Sequence, residues 1–195
     1  MDKRQIRDRL RLAGALAFSW LYVPALLCSR GGRRRAIDAD VDRMMTKIPL
    51  RLGRTLSLLY LLHNNRYFRS LFYHRIGPVR ALLISWLRPG DRYLIISPRT
   101  EIGPGVLLAH PYATIINAER IGRNFSFIHG TTLGDAKGER PVIGDNVTLG
   151  ANVTIVGGVT VGDNVTIGAG SVVVKDIPSN SIAVGNPARV VKTLG

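Results

Sequence analysis

Between Ile143 and Val173 an aliphatic residue returns at every sixth position: Ile143, Leu149, Ile155, Val161, Ile167 and Val173. Glycine follows four of them (Gly144, Gly150, Gly162, Gly168), and the third residue on is Asn or Gly at Asn146, Asn152, Gly158, Asn164 and Gly170. Asn and Gly tolerate a left-handed backbone, so each hexad holds a short strand and its own turn. A hexad cannot bury its one aliphatic alone, but stacked coils gather these side chains into a continuous inner column. The pattern predicts a parallel β-helix. The period reaches back to Leu94: Ile96, Ile102 and Leu108 step by six, a seven-residue unit leads through Ile115 to Ile121, and Phe127 and Leu133 resume the step. The gap of ten from Leu133 to Ile143 is a hexad plus four residues, which predicts a loop over 135–140 looking out of the coil. Pro187 extends Asn186 and stops the repeat.

Upstream the period changes to that of helices. Ile6, Leu10 and Ala13 share a helical stripe among arginines and lead into a 16-residue apolar run, Ala13 to Cys28. A spanning helix needs about 20 residues and Pro24 kinks this one, so a transmembrane helix is not expected. No convincing small-residue cleavage site precedes the polar stretch, so neither is a signal peptide. Two readings remain: a helix lying in a membrane interface with Trp20 and Tyr22 at headgroup depth, or a helix packed on a partner subunit. Residues 29–47 read as a loop or linker followed by a polar helix start. Residues 48–87 read as two or three helices broken at Pro49 and at Gly77-Pro78, with His63 and His74 as structural or surface residues. Pro89-Gly90-Asp91 is a turn that ends the helical part. The expected architecture is α+β: a basic N-terminal helical region over 1–92 and a β-helix over 93–195.

The 195 residues are 46% hydrophobic, enough for a core without covalent staples. The single cysteine, Cys28, excludes an intramolecular disulfide framework and fits a reducing, cytoplasmic setting. The net charge of +14 is unevenly spread: residues 1–100 hold 20 of the 27 Lys and Arg but 6 of the 13 Asp and Glu, whereas 101–195 hold 7 of each. No zinc-finger, recognition-helix or aromatic RNA-binding signature accompanies the arginines. Interleaved with aliphatics, they suit an anionic surface at the inner face of a membrane rather than nucleic acid.

Three hexads make one coil, so positions about 18 apart stack. His110 and His129 are each second after a column aliphatic, Leu108 and Phe127, and their separation of 19 is one coil plus the extra residue. They are expected to be stacked neighbours about 4.8 Å apart along the backbone. The column continues through Ala151 and Ala169. Two imidazoles below a strip of small residues suit acyl transfer, which needs a base of near-neutral pKa beside a narrow slot for a long thioester arm. Exposed turn positions also tolerate histidine with no such role. Zinc is disfavoured, because it usually takes three protein ligands and the repeat offers two histidines and no cysteine.

From about Ile95 to Lys192 the chain resembles the hexapeptide-repeat acetyltransferases, in their serine acetyltransferase branch and its relatives in capsule, exopolysaccharide and lipopolysaccharide gene clusters. The likeness is carried by Leu108-Ala109-His110-Pro111, Ile115-Ile116-Asn117, Ile128 to Gly134, Ile143 to Val147, Ile167 to Val173 and Gly185-Asn186-Pro187-Ala188. The resemblance implies a left-handed β-helix and a homotrimer with active sites between subunits. It also implies acetyl-CoA lying along the helix edge as acyl donor. His110 falls on the family's catalytic base, with His129 a second candidate. Gly134, Ala151 and Ala169 fall on positions lining the pantetheine arm, while Lys175 and the tail residues Asn186, Arg189 and Lys192 fall where the adenine and phosphate end is held. The chain departs from serine acetyltransferases in having Ala109 before the histidine, Pro111-Tyr112 after it, Glu139-Arg140-Pro141 in place of the second family histidine, and no aspartate near Ile95. A serine ammonium group wants carboxylates, so these departures favour a sugar hydroxyl in polysaccharide or glycolipid biosynthesis. Serine acetylation for cysteine biosynthesis and a non-catalytic β-helix scaffold are the alternatives.

Overall fold

The structure is a computed structural model that describes residues 3–29 and 31–194. It divides into two compact units, Met1–Asp91 and Arg92–Gly195. The first contains α1 (Lys3–Ala17), a 3₁₀ turn (Ser19–Tyr22), α2 (Val23–Cys28), α3 (Arg34–Met45), α4 (Arg54–Asn64), α5 (Arg66–Ile76) and α6 (Pro78–Ile84). Its core is built on α4, where Leu58, Leu61 and Leu62 are fully buried, with Ile37 and Val41 of α3 and Phe68, Leu71 and Phe72 of α5. The break between α4 and α5 is not marked by Pro or Gly: Asn65 makes it, its side chain accepting a hydrogen bond from the Phe68 N–H (2.9 Å) as an N-cap. Gly77, at φ 88°, and Pro78 separate α5 from α6 as expected.

The apolar run 13–28 is not one interfacial helix. It bends by 70° between 5–17 and 19–28, and no single described helix is long and apolar enough to cross a membrane. Tyr22 does not face outward: it is buried, and its hydroxyl lies 3.1 Å from His63 Nδ1. Burial is also the main cause that holds the His63 imidazole below its ordinary pKa, helped by the charges of Arg88 and Arg69.

The second unit is a parallel β-helix of three sheets, one per face. The first sheet stacks β1 (Leu94–Ile96), β4 (Thr114–Ile116), β7 (Thr132–Gly134), β10 (Thr154–Val156) and β13 (Val172–Val173). The second stacks β2 (Glu101–Ile102), β5 (Arg120–Ile121), β8 (Val142–Ile143) and β11 (Thr160–Val161). The third stacks β3 (Leu107–Ala109), β6 (Ser126–Ile128), β9 (Thr148–Leu149), β12 (Thr166–Ile167) and β14 (Ser181–Gly185) in parallel, and β15 (Ala188–Thr193) turns back antiparallel on β14. The repeat aliphatics Leu133, Ile143, Leu149, Ile155, Val161, Ile167 and Val173 are all buried inside. One corner is held by a side-chain ladder, Asn124 to Asn146 to Asn164 to Asn180, each amide donating to the next at 2.8–2.9 Å from a left-handed backbone.

Three details of the expected register change. Ile116, not Ile115, enters the core: it pairs with Ile96 and Leu133 and is buried, whereas Ile115 faces out. The unit from Leu108 is therefore eight residues and the next, to Ile121, is five. In the Gly157-Gly158 turn the positive φ (84°) falls on Gly157 rather than Gly158. The 135–140 insertion does look outward, as a two-residue hairpin: Ala136 and Glu139 exchange backbone hydrogen bonds around Lys137 and Gly138, both at positive φ.

Candidate functional site

The third sheet carries the histidines. Leu108 pairs with Phe127, Ser126 with Thr148, Leu149 with Ile167, and Ile167 with Ala183. Two residues beyond these partners lie His110, His129, Ala151, Ala169 and Gly185, one at the end of each successive strand, with Asn186 following. Four strand spacings separate the first from the last, roughly 19 Å. This strip ends in the hairpin Gly185-Asn186-Pro187-Ala188 that joins β14 to β15. The coil is tight along it: a Cβ on Gly150 would lie 2.6 Å from the Ala169 N.

At the histidine end the eight-residue unit makes the turn irregular. Elsewhere at this corner the left-handed residue is Gly130, Asn152 or Gly170, and the N–H of each donates to the coil beside it: Gly130 to Tyr112 O, Asn152 to His129 O, Gly170 to Ala151 O (2.8–2.9 Å). By this ladder Tyr112, not His110, is level with His129. His110 itself sits two residues earlier at φ 54°, and its carbonyl accepts from the Tyr112 N–H (2.8 Å) across Pro111, so two left-handed residues, His110 and Ala113, bracket the turn. The expected simple stacking of His110 on His129 is thus modified: Ala109 pairs with Ile128, and beyond that rung the chain at His110 swings out of the ladder. Among the described residues, eight non-glycines have positive φ and five are Asn. A left-handed residue directly before a proline runs against its local preference, and such strain persists where the surroundings over-determine it. Both histidine side chains are exposed. Tyr112 was not singled out in the sequence. The wide turn brings it to the strip, with its ring centroid 5.0 Å from that of Tyr93.

The other expected residues are spread more widely. Gly134 closes β7, paired with Val156, and Lys175 follows β13, so both lie at the ends of first-sheet strands, one corner on from the histidines. Arg189 and Lys192 lie exposed on β15, opposite Val184 and Ile182. The single chain therefore brings His110, His129, Ala151, Ala169 and Asn186 to one edge, with Arg189 nearby, and does not bring Gly134 or Lys175 to it. A shallow pocket flanked by Glu101, Arg120, Arg123 and Asp145 belongs to the second sheet. There the Arg123 N–H and guanidinium hold the Asp145 carboxyl below its ordinary range. Among the described residues no three His, Cys, Asp or Glu side chains converge as a metal-holding group.

Residues 140–175 match the family model described as bacterial transferase hexapeptide (six repeats). A rice (Oryza sativa subsp. japonica) protein provisionally named serine acetyltransferase 1 is 39% identical over 179 residues, covering 85% of this chain and 58% of that protein. An acetyltransferase of Escherichia coli (strain K12), provisionally named for colanic acid biosynthesis, is 44% identical over 99 residues, covering 49% of this chain and 61% of its own length. The structure of the soybean serine acetyltransferase apoenzyme superposes with a TM-score of 0.70 at 32% identity, covering 85% of this chain and 72% of that one. The chain spans from a quarter to about three fifths of the length of the curated relatives it matches.

Proposed function

We propose, from the premise that this chain belongs to the hexapeptide-repeat acetyltransferases of the left-handed β-helix superfamily, that it is an acetyl-CoA-dependent serine O-acetyltransferase. The observation that carries the choice of serine is the reach of the likeness: the rice protein named for that activity aligns over 85% of the chain, helical part included. In this reading the exposed His110 imidazole is the base. It takes the proton of the acceptor hydroxyl as the oxygen attacks the thioester carbonyl, the carbon–sulfur bond breaks, and the released thiolate takes up a proton. The acetyl ester and free coenzyme A are the products. His129, one strand along, is a second polar contact for the reacting groups. The strip of Ala151 and Ala169 gives the pantetheine arm a floor without side chains in its way, and Asn186 and Arg189 lie at the far end for the nucleotide. Gly134 and Lys175 join such a site only when a neighbouring subunit supplies its own corner, which is why the reading includes a homotrimer.

A sugar hydroxyl is the second reading. It is supported by the likeness to the acetyltransferase named for colanic acid biosynthesis and by Ala109 beside the histidine, where a carboxylate for a serine ammonium group is missing. The test is coenzyme A release from acetyl-CoA by the full-length protein with free serine, with hexose acceptors and with neither. Serine-dependent release with O-acetylserine as product supports the first reading. Release only with a hexose acceptor replaces it by the second, and no acceptor-dependent release leaves the scaffold alternative. Sedimentation of a stable, active monomer would contradict the trimer.

A further inference from the structure

Helix α6 is amphipathic in reverse. Its buried anchor is Ile84, and Val79, Leu82 and Leu83, together with Trp86 just beyond its end, are 73%, 77%, 67% and 74% exposed. The spacing i, i+3, i+4, i+7 puts these four on one stripe, the kind that a helix ordinarily turns toward a core. α6 packs beside α2, and Trp20, Val23 and Leu27 on the 3₁₀ turn and α2 are also exposed at helical spacing. Two apolar stripes therefore flank one helix contact, a feature that soluble surfaces rarely leave bare.

We propose that these two stripes form a docking face for an anionic lipid bilayer, held by insertion of α6, Trp20 and Trp86 and by the arginines of the same unit. Charge decides between a lipid surface and a second copy of this chain. Residues 1–91 contain 18 Lys and Arg against 6 Asp. Every described carboxylate of this unit already has an arginine within 4.0 Å: Asp8 with Arg7 and Arg11, Asp38 with Arg34, Asp40 with Arg75, Asp42 with Arg54, and Asp91 with Arg66. The same unit of a second copy brings the same positive excess, with its described acids already paired, whereas anionic headgroups supply the missing sign. Trp86 is also ready for an apolar medium, because its indole N–H donates to the Leu83 carbonyl within its own chain (2.9 Å). Inserted apolar area and charge attraction are each marginal alone and suffice together. The inference does not depend on which hydroxyl is acetylated.

The test is flotation of the full-length protein with phosphatidylcholine vesicles, with and without phosphatidylglycerol, at low and high salt. Binding should be at least about tenfold tighter to the anionic vesicles and weakened but not abolished by salt. A double variant, Leu82→Ser with Trp86→Ser, should lose at least about tenfold in affinity while keeping its helical circular dichroism. Val79→Ser, milder and on the same stripe, should weaken binding in the same direction and serves if the double variant misfolds. Arg80→Gln should weaken only the binding to anionic vesicles. Equal binding to both vesicle types, or a folded stripe variant that binds like the parent, would overturn the proposal. So would absence of vesicle binding together with a stripe variant of lower sedimenting mass, because a second copy would then be the occupant.

Discussion

Replacing His110 by Ala, Asn and Gly separates its chemistry from its backbone. At φ 54° the position belongs to the left-handed region, where Asn and His are several-fold enriched over other non-glycine residues. Several-fold is about 0.7 kcal/mol through RT ln K. Because the side chain is exposed and packs little, this conformational difference should be nearly the whole stability effect of His110→Ala. For a unit of about 100 residues that lowers Tm by roughly 3–6 °C. His110→Asn should leave Tm unchanged. His110→Gly should be close to neutral, since relief of about 1 kcal/mol of left-handed strain is offset by the freer unfolded chain. Activity should follow a different order. If the imidazole is the base, all three variants lose about 10²- to 10⁴-fold in kcat, whatever their stability, while His129→Ala loses less. The assays are thermal unfolding and the rate of coenzyme A release. Retention of more than a tenth of turnover by His110→Asn would refute the base assignment and show that the turn's shape, not its imidazole, is what the protein uses.

Two further outcomes follow from local geometry. Gly130 has φ 71°, and a Cβ there would push aside the Asn152 side-chain amide, so Gly130→Ala should cost roughly 1–2 kcal/mol, chiefly for the left-handed backbone, and lower Tm by about 4 °C or more; a Tm within about 2 °C of the parent would contradict the turn stacking. His63 has a folded-state pKa below its ordinary 6.5, chiefly through burial. The unfolded chain therefore binds more protons between the two values, so the helical unit's stability is fully present above about pH 6.5 and declines as pH falls toward the folded value. His63→Gln should flatten that decline in ellipticity-monitored melts between pH 7 and 5, and a superimposable pH profile would remove His63 as its cause.

Much of the β-helix was legible because each hexad repeats the same constraint, an inner aliphatic and a residue that accepts a left-handed turn. Where two adjacent residues met a constraint equally well, the pattern could not choose. Ile115 and Ile116 are both aliphatic, and units of seven and six span the same 13 residues from Leu108 to Ile121 as units of eight and five. The wide turn around Pro111 decides it, and that is a property of backbone geometry rather than of spacing. Gly157 and Gly158 pose the same tie. The placement of Tyr22 was hidden for another reason: an aromatic with a polar tip suits a membrane interface or a buried hydrogen bond equally, and its partner His63 lies 41 residues away. The histidine strip was legible from the 19-residue spacing, but Tyr112's entry into it was not.

The irregular units are where the coil can carry chemistry. A regular hexad commits its corner to holding the next coil: at one corner the asparagine ladder ties successive turns side chain to side chain, and at the histidine corner Gly130, Asn152 and Gly170 occupy the left-handed positions. A side chain used by the ladder is not available to a substrate. At the histidine corner the bonds from Gly130, Asn152 and Gly170 run backbone to backbone, so a regular hexad already leaves the His129 side chain exposed. The eight-residue unit takes the His110 backbone out of the ladder as well. With two extra residues, Ala113 takes over the left-handed position next to Gly130, Tyr112 supplies the carbonyl for the inter-coil hydrogen bond, and His110 is left outside the ladder, exposed on a backbone held by Pro111. The 135–140 hairpin is the other large departure, and it too is bonded mainly to itself, with Arg140 reaching back to pair with Glu119. In this fold the period locates the core, and its largest break sets His110 outside the ladder beside a His129 that a regular hexad already exposes.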